Sequence, residues 1–285
     1  MGITNRQGLP EVLERIAADD RNEHRPSRDV YSVTELLKPV REIVLSRRHY
    51  DEIEIDVADC VTAMLGTAVH GLFERNDDGP YTEYPVRTEV AGVEIRGRID
   101  RLDPEAGTVE DYKTCSVSKV AKSDFADWDR QGLMYAWLVW RDMEIKIKRL
   151  RFYAIIKDWS KVQASTRSEY PQSPVYVHER TVTDSDLDAI EGWVYGRIAA
   201  IREAESGELP ECTLDERWNT GDRWAVKKNA SDKRALVLCE NEDEAHKAIT
   251  ERCGGAGVIE FRPGDDLKCR LFCPCRKFCG KGGRQ

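Results

Sequence analysis

The hydrophobic positions near the start of the chain recur at helical spacing. Ser32 and Glu35 form the pattern of a capping box, which predicts a helix that begins there. Pro39 either lies near the start of this helix or breaks it. Asp56 is a predicted N-cap for a longer helix, because apolar residues continue at helical spacing along the run that follows. The segment 76–80 is rich in Asn, Asp, Gly and Pro, and it is predicted to end that helix.

The pattern then changes to short runs that are typical of strands. They cover residues 85–89, 93–102, 108–114, 147–156 and 175–182. Turn sequences separate the first three runs, so each is predicted to return directly beside the last. A helix is predicted over 127–143, and another, capped by Asp184, is predicted to reach Ser206. This order of elements predicts an α/β core with strands in both directions.

Composition narrows the class of protein. Among the 285 residues, 40% are hydrophobic, which is sufficient for a buried core. No apolar run approaches the length of a membrane span and the N-terminus has no secretory pattern, so we expect a cytoplasmic protein without a membrane partner. The net charge of −8 gives no overall basic footprint, so any contact with nucleic acid is expected to be local.

Two acidic residues and one lysine lie on neighbouring predicted strands. Asp100 follows Gly-Arg-Ile on the second strand of the meander, and Asp111 and Lys113 lie on the third, in Glu-Asp-Tyr-Lys-Thr. Antiparallel neighbours would bring Asp100 and Asp111 together, and strand alternation places Asp111 and Lys113 on one face. The three side chains are therefore predicted to converge on one point.

Phosphodiester hydrolysis is the chemistry that uses such a set. Carboxylates bind Mg²⁺ or Mn²⁺ through oxygen, and the metal polarises a phosphoryl group and lowers the pKa of a bound water. A lysine stabilises the developing negative charge or positions the attacking water. Ordinary surface charge is the alternative, since Asp-x-Lys is common by chance. The acids nevertheless stand inside an apolar strand although Glu and Asp are poor strand formers.

The helices on either side of the three strands carry further polar candidates. His70 shares a helix face with Glu74, and it is either a metal ligand or a buried structural histidine. Gln131 and Tyr135 share a face of the helix after the lysine strand. The glutamine could orient a water or a phosphate, and the tyrosine could contact a DNA backbone. On spacing alone, helix surface for Gln131 and core packing for Tyr135 are the favoured interpretations.

The order of these motifs resembles the RecB-like branch of the PD-(D/E)XK nuclease superfamily. The resemblance covers roughly residues 61–160 and rests on GTAVHGLFE, GRID, EDYKT and the QxxxY helix. It implies that the metal ligands are His70, Asp100, Asp111 and the carbonyl of Tyr112. It implies Lys113 as the catalytic lysine and Gln131 and Tyr135 as supporting residues, whereas Glu74 and Glu110 match less specific positions.

The whole chain also resembles phage-encoded exonucleases of this superfamily. The segments that carry this likeness are YSVTELL, RRHYDEIEID, LPECTLDERW, WAVKKN and CRLFCPCRKFC. They imply a role in phage DNA replication, recombination or degradation, with DNA as the substrate and possible partner proteins from those processes.

The end of the chain is rich in cysteine. Nine cysteines without a secretory pattern argue against a disulfide framework. Cys269, Cys273, Cys275 and Cys279 lie in one short segment, and four thiolates suit either a structural Zn²⁺ or an iron–sulfur cluster. Four free thiols are the remaining interpretation. Cys273-Pro-Cys275 is a tight spacing for two ligands of one metal.

Several nucleases of the RecB-like branch hold a 4Fe–4S cluster with one upstream and three C-terminal cysteines. That resemblance implies Cys212, Cys269, Cys273 and Cys279 as the cluster ligands, and it leaves Cys275 without a role in the cluster.

The resulting prediction is an α/β fold with a restriction-endonuclease-like core, in which helices flank a mixed central sheet. The predicted domains are an N-terminal helical region (1–60), the nuclease core (61–206) and a small C-terminal cysteine-rich metal module (207–285). The predicted activity is that of a DNA nuclease that depends on Mg²⁺ or Mn²⁺ and acts as an exonuclease.

Two other functions compete with this prediction. The first is a catalytically inactive nuclease fold that binds DNA or regulates another protein, and the intact Asp100, Asp111 and Lys113 argue against it. The second is a metal or redox sensor whose function lies in the cysteine cluster. The polarity of digestion and the choice of DNA over RNA stay open on sequence alone.

Overall fold

The chain forms two compact units, Met1–Leu209 and Pro210–Gln285. The structure is a computed structural model that describes residues 2–23, 25–77 and 79–280. Residues 281–285 of the predicted cysteine-rich module lie outside the described residues. Within the described ranges, no helix has the length and apolar character needed to cross a membrane.

The first unit combines a large sheet with helices. Its strands are β1 (Gly2–Thr4), β2 (Val30–Ser32), β3 (Glu54–Asp56), β4 (Thr82–Val90), β5 (Val93–Asp103), β6 (Thr108–Cys115), β7 (Arg149–Ile156) and β8 (Val175–Thr181). Its helices are α1 (Glu11–Glu23), α2 (Val33–Leu36), α3 (Val40–Arg48), α4 (Val57–Glu74), α5 (Val117–Lys122), α6 (Ala126–Met143), α7 (Lys161–Thr166) and α8 (Asp184–Ser206).

Six strands form the central sheet, in the order β2-β5-β6-β7-β8 with β4 beside β5. The antiparallel meander β4-β5-β6 is present as predicted. Strands β6 and β7 are parallel because the chain crosses over through α6, and β7 and β8 are antiparallel. The mixed α/β fold with a restriction-endonuclease-like core is therefore confirmed.

The N-terminal part of the chain is less purely helical than its pattern predicts. Strand β2 joins the central sheet parallel to β5, and β1 pairs with β3 in a separate parallel ribbon. Pro39 separates α2 from α3, because its ring lacks the N–H that would continue the first helix. Residues before position 60 therefore contribute directly to the sheet that carries the acidic strands.

The structure corrects the predicted start of α8. The N-cap is Thr183 and not Asp184. The Thr183 hydroxyl accepts a hydrogen bond from the backbone N–H of Asp186, and the Asp186 carboxylate accepts one from the N–H of Thr183. This reciprocal capping box satisfies two backbone donors at once. The predicted cap at Asp56 is present.

Helix α6 approaches the sheet closely at two glycines. A Cβ at Gly132 would lie 2.7 Å from Leu150 on β7, and a Cβ at Gly97 on β5 would lie 2.7 Å from the ring of Tyr135. Real Cβ atoms do not come this close to neighbouring carbons, so both positions need glycine. The close approach places Gln131 and Tyr135 over the acidic strands.

We expect Gly132→Ala to lower the free energy of unfolding by about 1–3 kcal/mol, because the added methyl group must displace packed side chains of β7. Urea unfolding followed by circular dichroism measures this change. Gly192→Ala is the matched control, since nothing lies within 4 Å of a Cβ at that position of α8. A Gly132→Ala variant as stable as the wild type would contradict the close approach of α6.

The second unit has a small sheet of its own. Its elements are β9 (Arg223–Lys227), β10 (Val237–Cys239), α9 (Glu242–Cys253), β11 (Val258–Arg262) and two helical turns, Lys268–Phe272 and Arg276–Phe278. The strands are antiparallel in the order β10-β9-β11. Val226, Ala245 and Ala248 form a small core between sheet and helix. The C-terminal cysteines follow this sheet, in and around the helical turns.

Candidate active site

Strands β5 and β6 bring the two predicted acids together. The backbone N–H of Tyr112 donates to Asp100 Oδ2 at 2.6 Å, which ties Asp100 to the strand that carries Asp111. Asp100 is 9% exposed and Asp111 is 3% exposed, so both carboxylates lie inside the protein. Two buried carboxylates on adjacent strands need compensating positive charge.

A change of phase in β5 places Asp100 in this position. Val93, Ile95 and Ile99 are buried in alternation, and Asp100 directly after them is buried as well. In a regular strand, consecutive residues point to opposite faces. The interrupted alternation therefore marks the point at which β5 turns an acidic side chain inwards.

Lys113 extends the cluster along the same face of β6. Its Nζ donates to Asp111 Oδ1 at 2.8 Å and to Gln131 Oε1 at 2.9 Å. The Gln131 Nε2 donates to the hydroxyl of Tyr135 at 3.3 Å. This chain of contacts fixes the side-chain amide so that its oxygen faces the ammonium group. The predicted residues Lys113, Gln131 and Tyr135 therefore form one hydrogen-bonded network.

His70 enters the cluster from helix α4. Its Nδ1 lies 3.4 Å from Asp100 Oδ1 and 4.0 Å from Glu83 Oε1. The hydrogen bond to Asp100 raises the pKa of His70, and burial opposes this effect. This contact places helix α4 against the sheet at the point where β5 carries Asp100 and β6 carries Asp111.

Glu83 is a site residue that the sequence reasoning missed. It lies on β4 with a φ of 49°, an unusual conformation for a residue other than glycine. Burial raises the pKa of Glu83, and the neighbouring carboxylate of Asp100 raises it further. The strand that the sequence predicts begins only at Pro85, so it does not include Glu83.

The turn between β4 and β5 contains the signal that could have found Glu83. Ala91 and Gly92 both have positive φ, and Val90 pairs with Val93 across this two-residue turn. The one-to-one pairing that begins at this turn continues along both strands, with Tyr84 opposite Ile99 and Thr82 opposite Arg101. The register of the hairpin therefore places Glu83 opposite Asp100.

The side chains of the cluster fit a divalent cation. Ligand atoms of His70, Glu83 and Asp100 all lie within 4.8 Å of one another, a spacing that one ion can bridge. Asp111 Oδ2 is buried and accepts no hydrogen bond from any described residue, although Lys113 Nζ lies 2.6 Å away and bonds to Oδ1. Burial and the neighbouring carboxylate of Asp100 raise the pKa of Asp111 to about 6, although the positive charge of Lys113 opposes this rise.

Glu83→Gln is expected to weaken the binding of Mn²⁺ by about 10-fold, because it removes a charged oxygen next to Asp100. Isothermal titration calorimetry with Mn²⁺ measures this change. Glu89→Gln on the exposed side of the same strand is the matched control. If Glu83→Gln binds Mn²⁺ as tightly as the wild type, Glu83 is not a ligand.

The acid that precedes Asp111 has a different role. Glu110 accepts hydrogen bonds from Arg101 at 2.5 Å and from Arg151 at 3.1 Å, so its charge is already neutralised by two arginines. Strand alternation puts it on the face opposite Asp111. Its burial is explained by these ion pairs, and it does not join the cluster around His70.

The second unit brings four of its cysteines near one another. Burial raises the pKa of Cys212 to about 11, and the thiols of Cys269, Cys273 and Cys279 contribute to this rise through their proximity. Cys275 is 1% exposed. The four neighbours are the set that the sequence resemblance implied.

The spacing of these thiols bears on which metal centre they could hold. Zn–S bonds of about 2.3 Å place the sulfurs of a tetrahedral zinc site about 3.8 Å apart. No three of the sulfurs lie within 4.8 Å of one another in the part of the chain that the structure describes. That spacing is wider than a preformed tetrahedral zinc site requires.

The chain belongs to the PD-(D/E)XK nuclease superfamily, because the sequence model of this superfamily matches residues 11–280. One similar solved structure is that of SSO0001, with 18% identity, a TM-score of 0.48 and coverage of 66% of this chain and 84% of that chain. Another is LHK-Exo in complex with dAMP, with 13% identity, a TM-score of 0.36 and coverage of 61% and 92%. None of the curated proteins matches this chain.

Proposed function

We propose that the protein is a metal-dependent deoxyribonuclease that degrades DNA from its ends, in phage DNA replication, recombination or degradation. The observation that carries this proposal is the half-buried cluster of His70, Glu83 and Asp100 beside Asp111 and Lys113, in a member of a nuclease superfamily. Such a cluster combines hard oxygen ligands with one ammonium group, which is the requirement of phosphodiester hydrolysis.

The proposed ligands of Mg²⁺ or Mn²⁺ are His70, Asp100, Asp111 and the carbonyl of Tyr112, with Glu83 as a further ligand. When bound, such an ion polarises the phosphoryl group and lowers the pKa of a water molecule. The hydrogen bond from the Tyr112 N–H supports this assignment, because it orients the Asp100 carboxylate before any ion binds.

The other residues of the site have separate roles in charge stabilisation and positioning. Lys113 supplies a positive charge next to the phosphate and stabilises the negative charge that develops on its oxygens. Asp111 and Gln131 hold the ammonium group in place, so little reorganisation is needed during the reaction. Tyr135 is buried and accepts the Gln131 N–H, and we assign it a positioning role.

The proposed function is tested with end-labelled linear DNA and closed circular DNA of the same sequence. In Mg²⁺ or Mn²⁺, the linear DNA is expected to shorten progressively from its ends and the circle to persist, and EDTA is expected to stop the reaction. Cleavage of the circle would overturn exonuclease action. No hydrolysis of either DNA with either metal would overturn the assignment as a nuclease.

We also propose that Cys212, Cys269, Cys273 and Cys279 hold a 4Fe–4S cluster. The proximity of Cys269, Cys273 and Cys279 to Cys212 supports this proposal. The core of the second unit is small, with few fully buried apolar side chains. A cluster that joins the segment at Cys212 to the C-terminal turns would supply the stability that so small a core lacks.

A further inference from the structure

A second pocket of about 580 Å³ lies in the first unit, away from the acidic cluster. We call it the arginine pocket, because four arginines line it. They are Arg28, Arg47, Arg48 and Arg202, and Tyr31, Asp29 and Glu205 line it as well. Val93 lines the arginine pocket and lies seven residues before Asp100 on β5. At the rise of a strand this separation is about 23 Å, so the two sites are distinct.

Arg47 is a structural member of the arginine pocket. It donates to both carboxylate oxygens of Glu35, at 2.7 and 2.8 Å, and to the carbonyl of Val30 at 2.6 Å. Its guanidinium lies 3.5 Å from the ring centre of Tyr31, so it also stacks on that ring. These contacts fix the wall of the pocket and the position of Tyr31.

The other three arginines keep unused donors. Arg48 Nη2 donates to the carbonyls of Ala204 and Glu205, and Arg202 Nη2 donates to that of Ala91. Their remaining guanidinium N–H groups make no hydrogen bond to the described residues. The exposed side chain of Arg28 makes no hydrogen bond or ion pair with them either. Three positively charged groups therefore share one pocket and have free donors.

The hydroxyl of Tyr31 is a second, independent feature of the pocket. Tyr31 lines the pocket, and its hydroxyl has no hydrogen-bond partner among the described residues. Burial raises the pKa of Tyr31, so the hydroxyl stays protonated and can donate. A hydroxyl without a protein partner, in a pocket that four arginines line, is a donor that an anionic ligand can use.

We propose that the arginine pocket binds a nucleoside monophosphate through its phosphate. Guanidinium groups form paired hydrogen bonds with phosphate oxygens, and the hydroxyl of Tyr31 donates to a third oxygen. The volume lies within the range of small-molecule sites.

The two acids of the arginine pocket favour a mononucleotide over a DNA strand. Asp29 and Glu205 would repel the successive phosphates of a strand, whereas they can accept hydrogen bonds from a sugar hydroxyl or a base N–H. The inference rests on the proposed function only for the source of the ligand, since hydrolysis of DNA from its ends releases nucleoside monophosphates.

Calorimetric titration of the whole protein in EDTA with thymidine 5′-monophosphate, and with thymidine as the matched ligand without phosphate, tests this proposal. The nucleotide is expected to bind and thymidine to bind at least about 10-fold more weakly. Tyr31→Phe removes only the hydroxyl, and we expect a loss of about 10-fold in affinity for the nucleotide. Arg28→Gln and Arg202→Gln are each expected to cause a similar loss.

Two control variants separate this pocket from the nuclease site. Arg149→Gln removes the same charge at an exposed position outside the pocket, and Lys113→Met alters the acidic cluster; both are expected to bind the nucleotide as the wild type does. Equal affinity for nucleotide and nucleoside, or unchanged affinity in Tyr31→Phe and Arg202→Gln, would overturn the proposal. The proposal would also be overturned if oligothymidine without terminal phosphates bound as tightly as the mononucleotide and lost affinity in Tyr31→Phe.

These outcomes do not depend on catalysis, because EDTA is present throughout. Failure of the nuclease assignment would appear as an absence of DNA hydrolysis with Mg²⁺ or Mn²⁺, while nucleotide binding in EDTA would be unaffected. Failure of the pocket assignment would leave hydrolysis intact.

Discussion

Lys113→Met is expected to reduce DNA hydrolysis at saturating Mg²⁺ by about 10³-fold. Lys113 Nζ carries the positive charge nearest to the buried acids, and methionine keeps most of its length without the charge. Because Lys113 is not a proposed metal ligand, the affinity for Mn²⁺ is expected to remain. Single-turnover hydrolysis of end-labelled DNA and calorimetric titration with Mn²⁺ measure the two effects separately.

The matched control for this variant is Lys161→Met, at an exposed position on α7. It is expected to hydrolyse DNA at the wild-type rate. If Lys113→Met hydrolyses DNA within tenfold of the wild-type rate, the ammonium group does not stabilise the transition state. If it binds Mn²⁺ much more weakly, the lysine organises the acids and does not act on the phosphate.

Cys212→Ser is expected to remove most of the iron from protein purified without oxygen, together with the visible absorbance of an iron–sulfur cluster. Cys212 is the proposed ligand that lies far from the other three in sequence, so its loss also disconnects the two ends of the second unit. We expect that unit to become sensitive to proteolysis, because its own core is small. Iron analysis and limited trypsin digestion measure these effects.

Cys275→Ser gives the discriminating comparison. Cys275 lies between two proposed ligands in sequence and is 1% exposed, but it is not one of the proposed ligands. It is expected to keep its iron and its absorbance. Equal loss of iron from Cys212→Ser and Cys275→Ser would contradict the ligand set. Stoichiometric zinc and no iron in the wild-type protein would contradict the cluster itself.

Local patterns were sufficient to predict part of the candidate site. Asp111 and Lys113 are two residues apart on one strand, so their shared face follows from strand geometry alone. The tight turn between β5 and β6 makes the proximity of Asp100 almost as local. The meander was predictable for the same reason, because each of its strands pairs with its sequence neighbour.

Other parts of the site depend on register and tertiary packing. Glu83 precedes Pro85 and has a left-handed φ, so neither strand propensity nor alternation marks it as part of β4. The contact between His70 and Asp100 joins a helix to a strand, and its sequence signal came from family resemblance. Spacing alone left His70 between a metal ligand and a structural histidine.

The arginine pocket shows the limit of sequence patterns more clearly. Its walls come from β2, α3, the start of β5 and the end of α8, which are far apart in the chain. Arg28 and Arg202 are ordinary exposed charges in their own segments. Only the folded arrangement brings them into one pocket with Tyr31.

One measurement tests the central claim most directly: the binding of Mn²⁺ and the hydrolysis of end-labelled DNA, followed in the same samples of wild-type protein and Asp100→Asn. The account predicts that Asp100→Asn loses both, whereas Asp188→Asn, an exposed change on α8, keeps both. Hydrolysis by Asp100→Asn at the wild-type rate would contradict the assignment of the active site to this cluster.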